Sequence, residues 1–301
     1  MKKLFLALLL VALAAPPAQA ATQKRTVVYY QTQYSNGATG TYVSPKPLLD
    51  RNTGVTDVLV AAIHLNDNRI VHLNDHPPSH SRYTQMWTDL AAMQARGVNV
   101  IGMVGGAAQG SFQRLDTQFD TYYPLLRDTI RTYKLNGVDL DVEERMSIAG
   151  IRRVIDQLKT DFGANFIVTL SPVASALWGG GNLSGFNYED LYRSHGSKIA
   201  WFNGQFYNGW GNAGSTANYD QIINRRLIPA NKVVLGTLTS SANGGSGYVS
   251  MTTLGNTVRS LKTKYANFGG VAGWEYFNSL PGGTAAPWQW AADVTAMQKQ
   301  A

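Results

Sequence analysis

The sequence predicts a (β/α)8 barrel formed by a single domain, and three observations favour this fold. Short runs rich in β-branched residues occur eight times, helix-like segments separate most of them, and 281 residues follow residue 20. Alternating strands and helices form right-handed βαβ units and a parallel sheet, and eight such units in this length suit a closed barrel. An open doubly wound sheet is the alternative, but no glycine-rich phosphate-binding turn follows the first strand.

The eight predicted strands are apolar runs distributed along the whole chain. They span residues 25–31, 55–65, 98–106, 136–143, 165–173, 199–208, 232–238 and 269–277. The clearest helical segments are 83–96, which ends at Gly97 as a natural C-cap, and 147–163, which opens with Ser147 as an N-cap. Another, at 120–137, has a proline near its start, whereas the segment between the first two strands shows little helical character.

The first 20 residues have the features of a secretory signal peptide. A basic MKK start precedes an apolar run of about twelve residues, and Ala18-Gln19-Ala20 fits a small-residue cleavage site. The run is too short to span a bilayer, which needs roughly 20 apolar residues, and no later segment approaches that length. We therefore predict cleavage after Ala20, one barrel domain over 21–301, a secreted or periplasmic location and no membrane association. An uncleaved N-terminal anchor is the alternative.

Composition and charge exclude several functional classes. The chain has no cysteine, which excludes disulfides, thiolate metal sites and lipid attachment at cysteine. Its 26 basic and 19 acidic residues are scattered, so no nucleic-acid-binding stripe is predicted. Pro77 and Pro78 interrupt a histidine-rich segment, which we interpret as a hairpin-like loop lining one side of the cleft, with no metal bound. Its histidines are His64, His72, His76 and His80.

The stretch NGVDLDVEE (136–144) contains acidic residues at alternate positions. In a β-strand, Asp139, Asp141 and Glu143 share one face and the aliphatic residues between them share the other. In a barrel the acidic face is the interior, and the last acid reaches the C-terminal rim, where barrel active sites lie. Closely spaced carboxylates do not all ionise together, so at least one keeps a proton at neutral pH, as a general acid requires.

Two other interpretations of this stretch stay open. An antiparallel strand with an acidic, solvent-exposed face shows the same alternation. A calcium-binding loop of the EF-hand type also contains several acids, but its glycine follows the first acids, whereas Gly137 precedes them here.

NGVDLDVE resembles the D-G-x-D-x-D-x-E signature of glycoside hydrolase family 18, the chitinase and endo-β-N-acetylglucosaminidase family, especially its plant-type and fungal single-domain members. The match falls on the fourth predicted strand, as that family requires. VGGAAQGSF after the third strand resembles the S-x-G-G segment through Gly105 and Gly106. QFYN resembles the tyrosine-bearing sixth strand, and GWEYF ends the eighth strand with the expected tryptophan. Two positions depart from the family pattern, because Asn136 replaces the first Asp and Met103 replaces the Ser.

The resemblance implies hydrolysis of β-1,4 linkages beside an N-acetylglucosamine unit by substrate-assisted retention, without metal or cofactor. Glu143 would protonate the glycosidic oxygen and then act as base on the incoming water. Asp141 would orient the 2-acetamido group, whose oxygen attacks the anomeric carbon, and Asp139 would share the proton and charge of Asp141. Tyr207 would hydrogen-bond the acetamido oxygen. A core tyrosine satisfied by a neighbour is the alternative role for Tyr207.

Further residues are assigned to substrate binding. Gln205 would assist Tyr207 from the same strand face, and Trp274 would form the hydrophobic floor, with simple barrel packing as its alternative role. Trp178 and Trp210 lie in glycine-rich rim loops, where a ring can stack on a sugar or instead hold the loop in place. The other predicted binding residues are Tyr30, Gly105, Gly106 and Asn208.

Three functions are compatible with these residues. The first is a monomeric, secreted chitinase acting on chitin or other N-acetylglucosamine-containing oligosaccharides. The second is an endo-β-N-acetylglucosaminidase that cuts the chitobiose core of N-glycans with the same chemistry. The third is a chitin-binding lectin without activity, which the presence of Glu143 disfavours because such proteins usually lack the last Glu of the signature.

Overall fold

The computed structural model describes residues 24–36 and 40–300. The predicted signal peptide, residues 1–20, lies outside the described residues. The described residues form nine β-strands, and α-helices separate all of them except the second and the third. The strands are β1 (Arg25–Tyr30), β2 (Asp57–Asn66), β3 (Ile70–Leu73), β4 (Asn99–Gly105), β5 (Gly137–Asp141), β6 (Ile167–Leu170), β7 (Trp201–Gln205), β8 (Val233–Leu238) and β9 (Gly270–Trp274).

The helices follow the strands in the order that a βαβ chain requires. They are α1 (Pro47–Asp50), α2 (Thr84–Gln94), α3 (Ser111–Thr117), α4 (Phe119–Thr132), α5 (Ile148–Phe162), α6 (Tyr188–His195), α7 (Ala217–Asn224), α8 (Met251–Lys264) and α9 (Trp288–Lys299). Ser147 caps α5 by accepting a hydrogen bond from the backbone N–H of Gly150, as its sequence position predicts. Within the described residues, no helix is both long and apolar enough to cross a bilayer.

Eight of the strands form a closed parallel barrel, which confirms the predicted fold class. The strand order is β1-β9-β8-β7-β6-β5-β4-β2, and β1 also pairs with β2, which closes the sheet on itself. The ninth strand, β3, is antiparallel to β2 and lies outside the barrel. Each predicted strand overlaps one barrel strand, and the weakly helical segment between the first two contains only the four-residue α1.

Alternation along the strands separates two apolar clusters. On β1, Val27 and Tyr29 belong to the small cluster inside the barrel, whereas Val28 and Tyr30 belong to the large cluster that contains the buried helix residues. On β5, Val138 belongs to the large cluster. Asp139 and Asp141, which alternate with the aliphatic residues of that strand, therefore lie on the inner face.

The hairpin of β2 and β3 extends the barrel wall. The register of β2 against β4 shifts between Val60 and Ile63, and β2 pairs with β3 from Ile63 to Asn66. In this antiparallel ladder His64 lies opposite His72. The predicted hairpin-like loop after the second strand is therefore present, with regular strand pairing.

Candidate active site

The inner face of β5 carries two buried carboxylates, and a third follows the end of the strand. Asp139 is fully buried and Asp141 is 6% exposed. β5 ends at Asp141, so Glu143 lies two residues beyond the strand and is half-buried. The predicted strand extended to residue 143. The chain leaves the sheet earlier, which places Glu143 at the rim, where solvent and substrate have access.

Asp139 accepts hydrogen bonds from four side chains. Tyr29 Oη donates to Oδ2 over 2.9 Å, Thr169 Oγ1 to Oδ1 over 2.5 Å and Asn203 Nδ2 to Oδ1 over 3.1 Å. Ser171 Oγ also binds Oδ2. Burial raises the pKa of Asp139, and these hydrogen bonds oppose the rise because they stabilise the carboxylate. Because of these donors, a negative charge shared by Asp139 and Asp141 is more stable on Asp139.

Asp141 has much less support for a negative charge. Its carboxylate accepts one side-chain hydrogen bond, from Gln205 Nε2 over 3.2 Å. Burial raises the pKa of Asp141 well above its ordinary value, and the charges of Glu143 and Asp139 raise it further. Asp141 therefore holds a proton under conditions in which an exposed aspartate is ionised.

Gln205 connects Asp141 to Glu143. The same Nε2 atom lies 3.0 Å from Oε1 of Glu143 and 2.9 Å from the carbonyl oxygen of Ser171. Gln205 ends β7, and its strand position places Asn203 on the same inner face, two residues earlier. The two N–H bonds of this amide are thus shared among three acceptors, namely the two carboxylates and the backbone carbonyl oxygen of Ser171.

A cavity of about 380 Å3 opens above these carboxylates. Asp141, Glu143 and Gln205 line it together with Tyr207 and Trp274. Its volume lies within the roughly 300–1,000 Å3 that small-molecule sites occupy in proteins. The structure therefore brings together five of the residues that the sequence assigns to the site, three of them predicted catalytic residues (Asp141, Glu143 and Tyr207) and two predicted binding residues.

Tyr207 supplies a neutral donor to this cavity. The residue is 9% exposed, and its hydroxyl has no hydrogen-bond partner among residues 24–36 and 40–300. Burial raises the pKa of Tyr207 well above its ordinary value, and the charges of Asp141 and Glu143 add to the rise. The phenol therefore keeps its proton, which is available for a ligand.

Trp274 lies at the end of β9 and contacts the carboxylate network through another ring. Its ring centroid is 5.5 Å from that of Tyr29 in an edge arrangement. Because Tyr29 also binds Asp139, the tryptophan and the buried carboxylate are joined through one side chain. A half-buried indole in this position provides an apolar surface at the cavity.

Gly105 and Gly106 also line the cavity. Both have positive φ, 89° and 85°, and the backbone N–H of Gly106 donates to the carbonyl oxygen of Asp141 over 2.9 Å. A Cβ atom on Gly105 would lie 2.3 Å from the ring of Phe112. Glycine is required here because both the backbone conformation and the close approach exclude a side chain.

Of the remaining predicted site residues, only some line the catalytic cavity. Asn208 lines the catalytic cavity. Trp178 and Trp210 lie together in a separate pocket of about 400 Å3, which shares no lining residue with the catalytic cavity. Asn136, one of the departures from the family signature, accepts a hydrogen bond from the backbone N–H of Val100 at the opposite end of β5.

The assignment of Tyr30 to substrate binding is wrong. Tyr30 is fully buried, and its hydroxyl donates to the carbonyl oxygen of Val43 over 2.6 Å. The alternation of β1 turns this side chain toward the helices and turns the preceding Tyr29 into the barrel. Tyr29 is therefore the tyrosine of β1 that belongs to the site.

Sequence reasoning missed two buried glutamates that hold the rim. Glu144 accepts hydrogen bonds from the backbone N–H groups of Gly110, over 2.9 and 2.8 Å to its two oxygens, and Phe112, over 2.9 Å. Glu275 accepts from the backbone N–H groups of Gln31 and Thr32 over 3.1 and 2.8 Å. Glu144 directly follows Glu143 and Glu275 directly follows Trp274, and both preceding residues line the cavity. This adjacency is the feature of the sequence that could have identified the two glutamates.

Comparison with known proteins decides the family. No family model matches the chain. Its structure superposes on a fungal endo-β-N-acetylglucosaminidase from glycosyl hydrolase family 18 with a TM-score of 0.87 and 45% sequence identity, covering 91% of this chain and 98% of that one. The chain belongs to glycoside hydrolase family 18. A second family neighbour is the chitinase ChiC of Aspergillus fumigatus, with a TM-score of 0.84, 48% identity and coverage of 91% and 99%.

Curated relatives are also named chitinases. Chitinase 2 of Rhizopus oligosporus is 30% identical over 279 residues, which is 83% of this chain and 48% of the relative. The chain therefore spans about half the length of that protein. Endochitinase 37 of Trichoderma harzianum is 24% identical over 230 residues, 62% of this chain and 68% of the relative.

Proposed function

We propose that the protein hydrolyses the β-1,4 bond that follows an N-acetylglucosamine unit, with retention of configuration and with the substrate's own acetamido group as nucleophile. One observation carries the proposal: a single amide, Gln205, binds both a buried carboxylate and a rim carboxylate, in a cavity that the phenol of Tyr207 also lines. This arrangement provides a proton donor, an acetamido-orienting acid and an acetamido-oxygen donor in one cavity.

Glu143 is the general acid in this mechanism because its side chain is at the rim, where a glycosidic oxygen can reach it. Its proton passes to that oxygen as the bond between the oxygen and the anomeric carbon breaks. The acetamido carbonyl oxygen then bonds to the same carbon, which yields a cyclic oxazolinium and a leaving sugar with a free hydroxyl group. Water attacks the anomeric carbon from the vacated side and returns a proton to Glu143, and the ring opens to regenerate the acetamide.

Asp141 and Asp139 act as a pair on the acetamido group. The donors around Asp139 hold negative charge at the deeper position, while Asp141, with its raised pKa, carries the proton. As positive charge develops on the acetamido nitrogen, a shift of that proton toward Asp139 leaves a carboxylate at Asp141 to stabilise it. Holding the nucleophile within the substrate supplies a proximity advantage of up to about 7–11 kcal/mol.

Tyr207 and Trp274 complete the catalytic cavity. The phenol, which has no hydrogen-bond partner within the described part of the chain, donates to the acetamido oxygen and directs it toward the anomeric carbon. The indole supports the apolar face of the sugar and excludes water from the reacting side. Together they restrict the acetamido group to the orientation in which it attacks.

Two substrates contain the bond that this cavity is suited to cleave. Chitin oligomers are the first candidate, since the curated relatives are named chitinases. The chitobiose core of N-glycans is the second, and the likeness to a fungal endo-β-N-acetylglucosaminidase supports it. Secretion after cleavage at Ala20, a single domain over 21–301 and a monomeric state are further parts of the proposal, and the first rests on the N-terminal sequence alone.

The experiment is mass spectrometry of the purified protein with a mixture of N-acetylglucosamine hexamer and a high-mannose glycopeptide, with Glu143→Gln as the control. Shortened oligomers from the wild type alone support chitinase activity. A glycopeptide trimmed to one N-acetylglucosamine supports the endoglycosidase. No change in either sugar would contradict the proposed hydrolysis.

A further inference from the structure

A cleft of about 820 Å3 adjoins the catalytic cavity. Gln31, His64 and Ala108 line both spaces, so the two form one continuous groove. The cleft has more than twice the volume of the catalytic cavity, about 380 Å3. A sugar chain that leaves the catalytic cavity on this side therefore enters a wider space, which suits a branched chain better than a single file of rings.

The hairpin of β2 and β3 contributes two imidazoles to this cleft. His64 and His72 lie opposite each other in the antiparallel ladder, and directly opposite residues have their side chains on the same face of a sheet. Both are half-buried and line the cleft. Neither imidazole has a hydrogen-bond partner among the residues that the structure describes. Partly desolvated polar groups without partners are stabilised by a ligand that supplies hydrogen bonds.

The cleft favours an uncharged ligand. Burial and the neighbouring His72 lower the pKa of His64, so its imidazole is neutral at neutral pH and has one donor and one acceptor. Asn66 and Gln109 add neutral amides to the lining. The two charged groups beside them, Asp75 and Arg82, have opposite signs and produce no field of one sign.

Aromatic stacking contributes little to this cleft. Only two tyrosines line it, and the guanidinium of Arg82 lies 4.4 Å from the ring centroid of Tyr34. The other tyrosine, Tyr83, is 2% exposed. By contrast, Trp274 lines the catalytic cavity. The groove thus changes from an aromatic surface at the reacting sugar to a hydrogen-bonding surface beyond it.

We propose that His64 and His72 determine specificity by hydrogen-bonding the hydroxyl groups of a branched, uncharged sugar chain that extends from the catalytic cavity into the cleft. Sugar hydroxyls both donate and accept, as neutral imidazoles and amides do. The substrate is then chemically asymmetric, with an N-acetylglucosamine unit at the carboxylates and hydroxyl-rich hexose units beyond it. The inference rests on the proposed function, because it takes the scissile bond to lie at Glu143.

Binding is measured by titration calorimetry with the Glu143→Gln protein, so that hydrolysis does not interfere. The two probes are a high-mannose oligosaccharide with a chitobiose core and the linear N-acetylglucosamine hexamer. We expect the branched probe to bind at least about 10-fold more tightly than the hexamer. His72→Leu, which removes the donor and the acceptor, should weaken its binding by about 5- to 20-fold, as loss of one or two hydrogen bonds does.

Matched variants separate recognition from folding. His72→Asn keeps a side-chain hydrogen-bonding group at this position and should retain most of the affinity for the branched probe. Ile70→Ser changes a residue of the same hairpin that is 43% exposed and does not line the cleft. This variant should bind the branched probe as tightly as the Glu143→Gln protein does. His64→Leu provides a second test if His72→Leu does not fold, and it should weaken binding of the branched probe to a similar extent.

Two results would overturn the inference. One is a hexamer that binds as tightly as the branched probe. The other is a His72→Leu protein whose affinity for the branched probe equals that of His72→Asn. Hydrolysis by the wild type is assayed separately with both probes. If the wild type cleaves neither, the proposed function is wrong, whereas the calorimetry still decides what the cleft binds.

Discussion

The side-chain amide of Gln205 donates a hydrogen bond of 3.0 Å to Oε1 of Glu143. The same nitrogen lies 3.2 Å from Oδ1 of Asp141, so one neutral donor serves a buried carboxylate and a rim carboxylate. Because Gln205 ends β7, its position depends on the barrel and not on a flexible loop. The relationship explains how carboxylates with different burial are kept in one fixed arrangement.

Gln205→Leu should reduce kcat by about 10²-fold, since it removes the donor that orients both acids. The hydrogen bond from Gln205 lowers the pKa of Asp141, so its loss should raise that pKa further. The pH profile of kcat/KM measures both effects, with Gln205→Asn as a control that keeps the amide but shortens its reach. Full activity of Gln205→Leu with an unchanged pH profile would show that Gln205 does not orient the two acids.

Tyr207→Phe should lower kcat/KM by about 10- to 1,000-fold, as loss of one oriented donor does elsewhere. The melting temperature should stay close to that of the wild type, because the hydroxyl has no partner among the described residues and its removal leaves none of them unpaired. Tyr29→Phe is the contrasting variant, since its hydroxyl binds Asp139 and its loss should also lower stability. An unchanged rate for Tyr207→Phe would show that the residue only packs.

Asp141→Asn should be inactive yet more stable than the wild type at neutral pH. The folded-state pKa of Asp141 is raised, so from about pH 4 up to that raised pKa the unfolded state loses its proton while the folded state keeps it. Wild-type stability attributable to this group therefore falls as pH rises, by at most about 1.4 kcal/mol for each pH unit. Asparagine does not titrate. The difference in free energy of unfolding between Asp141→Asn and the wild type should therefore grow with pH in that window and vanish below it.

Thermal unfolding of the wild type and Asp141→Asn at a series of pH values tests this expectation. The informative quantity is the difference between their free energies of unfolding at each pH. A difference that does not depend on pH would mean that the pKa of Asp141 is not raised in the folded protein.

Glu144→Ala should destabilise the protein by about 1–3 kcal/mol, because the backbone N–H groups of Gly110 and Phe112 lose their acceptor. The loop between β4 and α3 also lines the catalytic cavity through Ala107 and Ala108, so KM should rise more than kcat falls. Glu144→Gln, which keeps one acceptor oxygen, should recover most of both properties. Equal kinetics for the alanine variant and the wild type would show that the loop needs no such support.

The sequence predicts the barrel and its acidic strand because both depend on local periodicity. Alternation alone places Asp139 and Asp141 on one face, and the barrel turns that face inward. The choice between Tyr29 and Tyr30 needs more information. The run VVYY is apolar on both faces, so only pairing with the neighbouring strands determines which tyrosine faces the interior.

Contacts between distant segments account for the other omissions. Thr169, Ser171 and Asn203 lie on β6, just after it and on β7, and no local pattern identifies their shared partner Asp139. In the sequence, Glu144 cannot be distinguished from a solvent-exposed acid, because its partners Gly110 and Phe112 lie more than 30 residues away. The size of the cleft beside the hairpin is likewise a property of the folded chain and not of any single stretch.

In the proposed retaining, substrate-assisted cleavage, Glu143 donates the proton to the glycosidic oxygen. Proton NMR of the first products released from N-acetylglucosamine hexamer or a high-mannose glycopeptide tests it directly, with wild type and Glu143→Gln in parallel. We expect initial β-anomers from the wild type and a rate for Glu143→Gln lower by at least about 10²-fold, with the fold unchanged. Initial α-anomers would rule out the retaining cleavage, and wild-type rates for Glu143→Gln would rule out Glu143 as the proton donor.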